Sequence, residues 1–140
     1  MSSSPFPAAG GFHHVALKTR AWDASLAFYT EVLGFTEKIA WGEPDRRAIM
    51  LSVGGGGYLE IFEDIAYTPI ANGALLHIAL RTSDTDAAIA RVREAGCKVT
   101  MEPKNVDIQT TNDAGVVPVR IAFFQGPNGE VWEFFENELT

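Results

Sequence analysis

His14 opens the run His-Val-Ala-Leu-Lys-Thr at 14–19, and His77 opens its near copy, His-Ile-Ala-Leu-Arg-Thr, at 77–82. Glu60 begins Glu-Ile-Phe-Glu-Asp at 60–64, and Glu133 begins Glu-Phe-Phe-Glu-Asn at 133–137. Taken singly, a histidine at a strand start is ordinarily a satisfied polar residue, and a glutamate in a terminal strand is ordinarily solvated. Four such groups at equivalent points of a repeat are a different matter. Two imidazoles and two carboxylates suit Zn²⁺, Ni²⁺, Co²⁺, Mn²⁺ or Fe²⁺ and leave positions for water or for two adjacent substrate oxygens. An ion so held acts as a Lewis acid, which would make this a metalloenzyme.

Strand parity decides which residues share a face. Side chains alternate, so His14, Ala16 and Lys18 point one way, and His77, Ala79 and Arg81 form the matching set. Glu60, Phe62 and Asp64 share a face, as do Glu133, Phe135 and Asn137, which puts Glu63 and Glu136 on the opposite side. His13 is thereby a weaker candidate than His14. Lys18 and Arg81 lie on the faces of the two histidines, where they can meet an anionic substrate or pair with an acid such as Asp64.

The elements that must carry these groups recur in the same order. A strand near 13–19 leads to a helix that Asp23 can cap, with Leu26, Tyr29, Val32 and Leu33 at helical spacing and Gly34 placed to end it. Strands near 36–41, 47–53 and 58–63 follow, separated by turn residues at 42–45 and 54–57. The glycine run 54–57 lacks the Lys-Ser/Thr and helix of a phosphate loop and reads as a turn. The second half repeats βαβββ: a strand near 76–82, a helix capped at Ser83 or Asp84 with Ile89, Val92 and Ala95 on one face, Gly96 at its end, and strands near 98–101, 119–125 and 130–136. The histidines are 63 residues apart and the helix-ending glycines 62, but the glutamates are 73 apart. The surplus points to an insertion at 104–118, read as a polar binding loop or lid.

Composition narrows the class. With 140 residues, 46% of them hydrophobic, the chain is long enough for one globular domain over 12–140. Module one spans about 12–66 and module two about 75–137, behind a flexible tail at 1–11 that does not read as a signal peptide. A formal charge of −7 argues against nucleic acid or an anionic membrane as partner. No stretch approaches the ~20 apolar residues of a membrane span. The single cysteine, Cys97, cannot form an internal disulfide, which suits a cytoplasmic location.

These features carry a resemblance. The paired modules, the helix Ser-Leu-Ala-Phe-Tyr-Thr-Glu-Val-Leu-Gly-Phe at 25–35 and the close Gly-Pro-Asn-Gly-Glu-Val-Trp-Glu at 126–133 resemble the vicinal oxygen chelate superfamily, also called the glyoxalase, bleomycin-resistance and dioxygenase fold. The likeness covers about 12–137. It implies an α+β fold in which two βαβββ modules form a curved, partly open mixed β-barrel, often as a homodimer. Glyoxalase I, the lactoylglutathione lyase, uses His or Gln, Glu, His and Glu as ligands, an order matched by His14, Glu60, His77 and Glu133. The resemblance implies isomerisation of a small substrate such as a hemithioacetal through an enediolate, with Glu133 as first choice of base and Glu60 able to serve from the other side. It thins at the substrate: glyoxalase I of the well-known type carries Arg and Asn where this chain has Lys18 and Asp64, and an acid there would repel a glutathione carboxylate.

Three rivals remain within the same likeness. A methylmalonyl-CoA epimerase-like enzyme usually has Gln at the position of Glu60. An extradiol dioxygenase-like enzyme holds Fe²⁺ with two His and one carboxylate, and a fourth ligand crowds it. A non-catalytic drug or metabolite binding protein needs no ligand set, so the intact set favours an enzyme.

Overall fold

The computed structural model describes residues 11–69 and 75–140, so that most of the expected tail at 1–11 lies outside the described residues. The chain divides into two compact units, 1–68 and 69–140. Each carries one βαβββ module with a four-stranded mixed sheet, as the repeat implied.

In the first unit β1 (His14–Thr19) lies parallel to β4 (Gly57–Glu63), β3 (Ala48–Gly54) is antiparallel to β4, and β2 (Thr36–Trp41) forms the edge. Its helix α1 (Trp22–Ala27) continues into a π-helical turn at Phe28–Val32. This helix differs from expectation at its start. Asp23 does not cap it; Ala21 stands at the cap and Asp23 sits in the first turn, where a carboxylate still favours the positive end of the helix. The buried stripe is Trp22, Ser25, Phe28 and Tyr29, one turn earlier than the spacing from Leu26 indicates. Gly34, at φ 76°, closes the element in a conformation that costs a side-chain residue strain.

One face of this sheet is tied to the helix. Thr19 and Ser25 share a hydroxyl–hydroxyl bond of 2.8 Å. Glu63 accepts from Arg47 Nε at 2.9 Å and Nη2 at 2.8 Å, and that guanidinium lies 5.0 Å from the centre of the Trp22 ring. Leu59 and Ile61, together with Ile49 and Leu51, occupy the same face and are almost wholly buried. Those hydrogen bonds from Arg47 hold the Glu63 carboxyl at about 2, below its ordinary 4.5. Because the folded-state value is the lower one, the stabilisation is complete above pH ~4.5 and is lost as pH falls towards 2. We therefore expect the melting temperature to drop over that acid window, and Glu63→Gln to flatten the drop while lowering the neutral-pH value. Parallel melts of the two proteins from pH 7 to pH 2.5 check this; equal acid slopes would disprove it.

In the second unit β5 (Ile78–Arg81) pairs parallel with β8 (Val131–Glu136), followed by β7 (Val116–Gln125) and the edge strand β6 (Val99–Gln109). Helix α2 (Thr85–Glu94) is capped by Asp84, whose carboxylate accepts from the Ala87 N–H at 3.0 Å. Glu136 is bonded to the start of α2 through the Thr85 N–H at 2.9 Å and hydroxyl at 2.8 Å, whereas Glu63 in the first unit is bonded to Arg47. The insertion expected as a polar loop at 104–118 is instead mostly strand. β6 runs to Gln109 and β7 begins at Val116, because Val106 and Ile108 alternate with polar residues and pair with Val119 and Val117. A local excess of Asn, Asp and Thr concealed that period of two. The surplus length lengthens a hairpin.

Candidate metal half-sites

The sheet face turned away from each helix carries the candidate ligands. In the first unit Ala16 lies beside Glu60, and Met50 stands opposite Glu60 across the neighbouring strand. His14 Nε2 comes within 3.4 Å of Glu60 Oε1. In the second unit Ala79 lies beside Glu133, and His77 Nε2 comes within 3.2 Å of Glu133 Oε1. Both histidines are partly exposed, whereas Glu60 and Glu133 are only 8% and 7% accessible. A carboxylate so nearly buried is costly unless it is paired or bound to a cation. Burial pushes the Glu133 carboxyl above its ordinary value, and the adjoining His77 offsets this only in part.

The spacing fits a cation. Two adjacent ligands with metal bonds of roughly 2.0–2.2 Å stand about 2.9 Å apart at a right angle and about 3.4 Å apart at a tetrahedral angle. The imidazole-to-carboxylate separations fall in that interval. Each His–Glu pair supplies two donors, and among the described residues no group of three or more His, Cys, Asp or Glu is placed to hold a metal ion.

The other sequence candidates are placed less decisively. Lys18 Nζ lies 3.7 Å from Asp64 Oδ2, an ion pair between a well-exposed lysine and a partly exposed carboxylate. Such a pair contributes little to stability. Arg81 is exposed and lines an open recess of about 1180 Å³ with Asn105, Val119, Glu136 and Asn137. That recess includes neither His77 nor Glu133.

Sequence reasoning missed the apolar surroundings of Glu60. Ile39 and Trp41 belong to the exposed edge strand β2, and simple alternation from Glu37, which pairs with Leu51 of the helix-side face, would send them to that face. A β-bulge between Glu37 and Ile39 inserts one residue and re-aims both, so that Ile39 pairs with Met50 and Trp41 with Ala48 on the Glu60 face. The Trp41 ring then meets Phe62 edge-on at 6.2 Å. In the second unit the His77 ring meets Phe123 edge-on at 5.1 Å. No sequence signal marks a bulge at Lys38.

The profile of the Glyoxalase/Bleomycin resistance protein/Dioxygenase superfamily matches residues 11–134. The chain belongs to this superfamily. Among curated proteins it is similar to the uncharacterized protein YaeR of Escherichia coli (strain K12), with 29% identity over 131 residues, 89% of this chain and 94% of that one. Among solved structures it is similar in fold to the trypanothione-dependent glyoxalase I of Leishmania major, with a TM-score of 0.67 and 23% identity over 88% of this chain and 84% of that one. It is also similar in fold to TnmS3, an antibiotic binding protein from Streptomyces sp. CB03234, with a TM-score of 0.64 and 23% identity over 91% and 95%. The superfamily thus holds enzymes and a binding protein on one fold, and fold alone does not choose between them. Among the described residues no helix is long and apolar enough to cross a membrane.

Proposed function

We propose that this superfamily member is a divalent-metal-dependent lyase/isomerase of the glyoxalase I kind, acting on a small substrate with two adjacent oxygens such as a hemithioacetal. The observation that carries the reading is the repeated pair: a histidine Nε2 set 3.2–3.4 Å from a nearly buried carboxylate in each module. His14, Glu60, His77 and Glu133 are then the ligands, and Zn²⁺ or Ni²⁺ the leading ions, with Co²⁺, Mn²⁺ and Fe²⁺ as further choices. When bound, such an ion polarises the substrate oxygens as a Lewis acid.

The chain's own groups do the rest. Glu133 takes the proton from the carbon beside the substrate carbonyl and returns it to the former carbonyl carbon, while the hydroxyl proton of the first carbon passes to the former carbonyl oxygen, so that atoms and charge balance; Glu60 can serve as the base in place of Glu133. The apolar side chains Ile39, Trp41 and Phe62 receive the carbon framework of the substrate and exclude water from the reacting atoms. Lys18 and Arg81 attract an anionic group. The protein works as a cytoplasmic homodimer in this account.

A second reading rests on the same aromatic wall: a partly exposed Trp41–Phe62 pair is also what a non-catalytic drug or metabolite binder presents. The two separate on one experiment. Protein stripped with a chelator and reloaded with Zn²⁺ or Ni²⁺ is assayed on hemithioacetals; turnover that disappears on stripping and returns on loading supports the enzyme, and binding without turnover at any loading supports the alternative.

A further inference from the structure

The two half-sites differ in what stands behind the histidine. His14 turns Nε2 towards Glu60, and its other ring nitrogen, Nδ1, lies 2.9 Å from Nδ1 of His13. The residue before His77 is Leu76, whose side chain can neither donate nor accept, and the His77 ring abuts Phe123 instead. His13 is itself held in place. Its carbonyl accepts from the Tyr58 N–H at 2.9 Å, and its ring lies 5.2 Å from the Tyr58 ring and 5.2 Å from that of His14. It precedes the first residue of β1, so the alternation that would send it to the opposite face does not yet apply.

A neutral imidazole carries its proton on one nitrogen only, and a nitrogen that binds a cation must be the bare one. With Nε2 of His14 committed to a cation beside Glu60, its proton belongs on Nδ1. The lone pair within reach of that proton is Nδ1 of His13. An imidazole offers a single in-plane lone pair, so it accepts well only when its ring is fixed, and Tyr58 fixes it. We propose that His13 is the positioning residue of the first half-site: it accepts the Nδ1–H of His14, selects the tautomer that bares Nε2, and so strengthens the hold on the cation. The proposal rests on the metal-site reading above. It assigns the doubled histidine an unequal division of labour, with His14 as ligand and His13 as its orienting partner.

The experiment measures Zn²⁺ affinity by competition with a chromophoric chelator, with the visible spectrum of the Co²⁺-loaded protein beside it. The proteins are wild type, His14→Ala, His13→Leu, which copies the residue before His77, and His13→Asn, whose amide oxygen can take the place of Nδ1. His13→Ala stands in should the leucine lower the melting temperature. The expected result is loss of the ion from His14→Ala, one ion per chain but 10–100-fold weaker binding with an altered Co²⁺ spectrum in His13→Leu, and recovery of most of the affinity in His13→Asn. Affinity of His13→Leu within twofold of wild type overturns the positioning role, as does no recovery in the asparagine variant. Loss of the ion as complete as in His14→Ala overturns it too, because His13 would then be a ligand. If His14→Ala binds like the wild type, the metal-site reading fails first and this inference falls with it.

Discussion

Glu133→Gln is expected to lower turnover by about 10²–10⁴-fold, the usual contribution of a positioned proton-transfer group, while the fold persists. The amide keeps the shape of the side chain and removes its basicity. Burial holds the Glu133 carboxyl above its ordinary value, so folding disfavours its ionised form. Replacing it with a neutral amide should leave the melting temperature of the metal-free protein unchanged or slightly higher. The check is kcat at matched metal loading together with thermal melting. A variant with wild-type turnover removes Glu133 as the base; one that loses both ion and activity assigns it to coordination alone.

The neighbouring residue should behave in the opposite way. Along β8 Trp132 and Phe134 alternate with Glu133 and Phe135, and Trp132 is 1% accessible, opposite Phe124 in β7 and beside Ile78 in β5. Trp132→Ala removes a fully buried indole and leaves a cavity that the surrounding sheet cannot close, at a cost of about 3–5 kcal/mol. That is a large part of the stability of a domain this size. Denaturant unfolding of wild type and variant measures it, and a loss under 1 kcal/mol would contradict the packing described. One step along a strand thus separates a residue of the core from a residue of the site.

The repeat made both sheets and both His–Glu pairs readable, because a period of two fixes which neighbours share a face and the paired motifs fix where each strand starts. Glu63 and Glu136 fall on the helix side as parity requires, bonded to Arg47 and Thr85. Beyond the cap and buried stripe of α1, three features escaped for separable physical reasons. The hairpin at 104–118 was hidden by polar residues on its exposed edge strand, where burial imposes no apolar pattern. The aim of Ile39 and Trp41 depends on a single bulged residue, which inverts a parity argument without altering composition. The contact between His13 and His14 lies between neighbours at the mouth of a strand, outside the regular alternation that sequence reasoning relies on.

The most direct test of the central claim is the metal content per chain of untagged wild type and His77→Ala, purified side by side. About one tightly held divalent transition metal per chain in the wild type, lost in the variant, is the result this account predicts. A wild type that is empty and takes up none of Zn²⁺, Ni²⁺, Co²⁺, Mn²⁺ or Fe²⁺ would contradict it and leave the ligand-binding reading in its place.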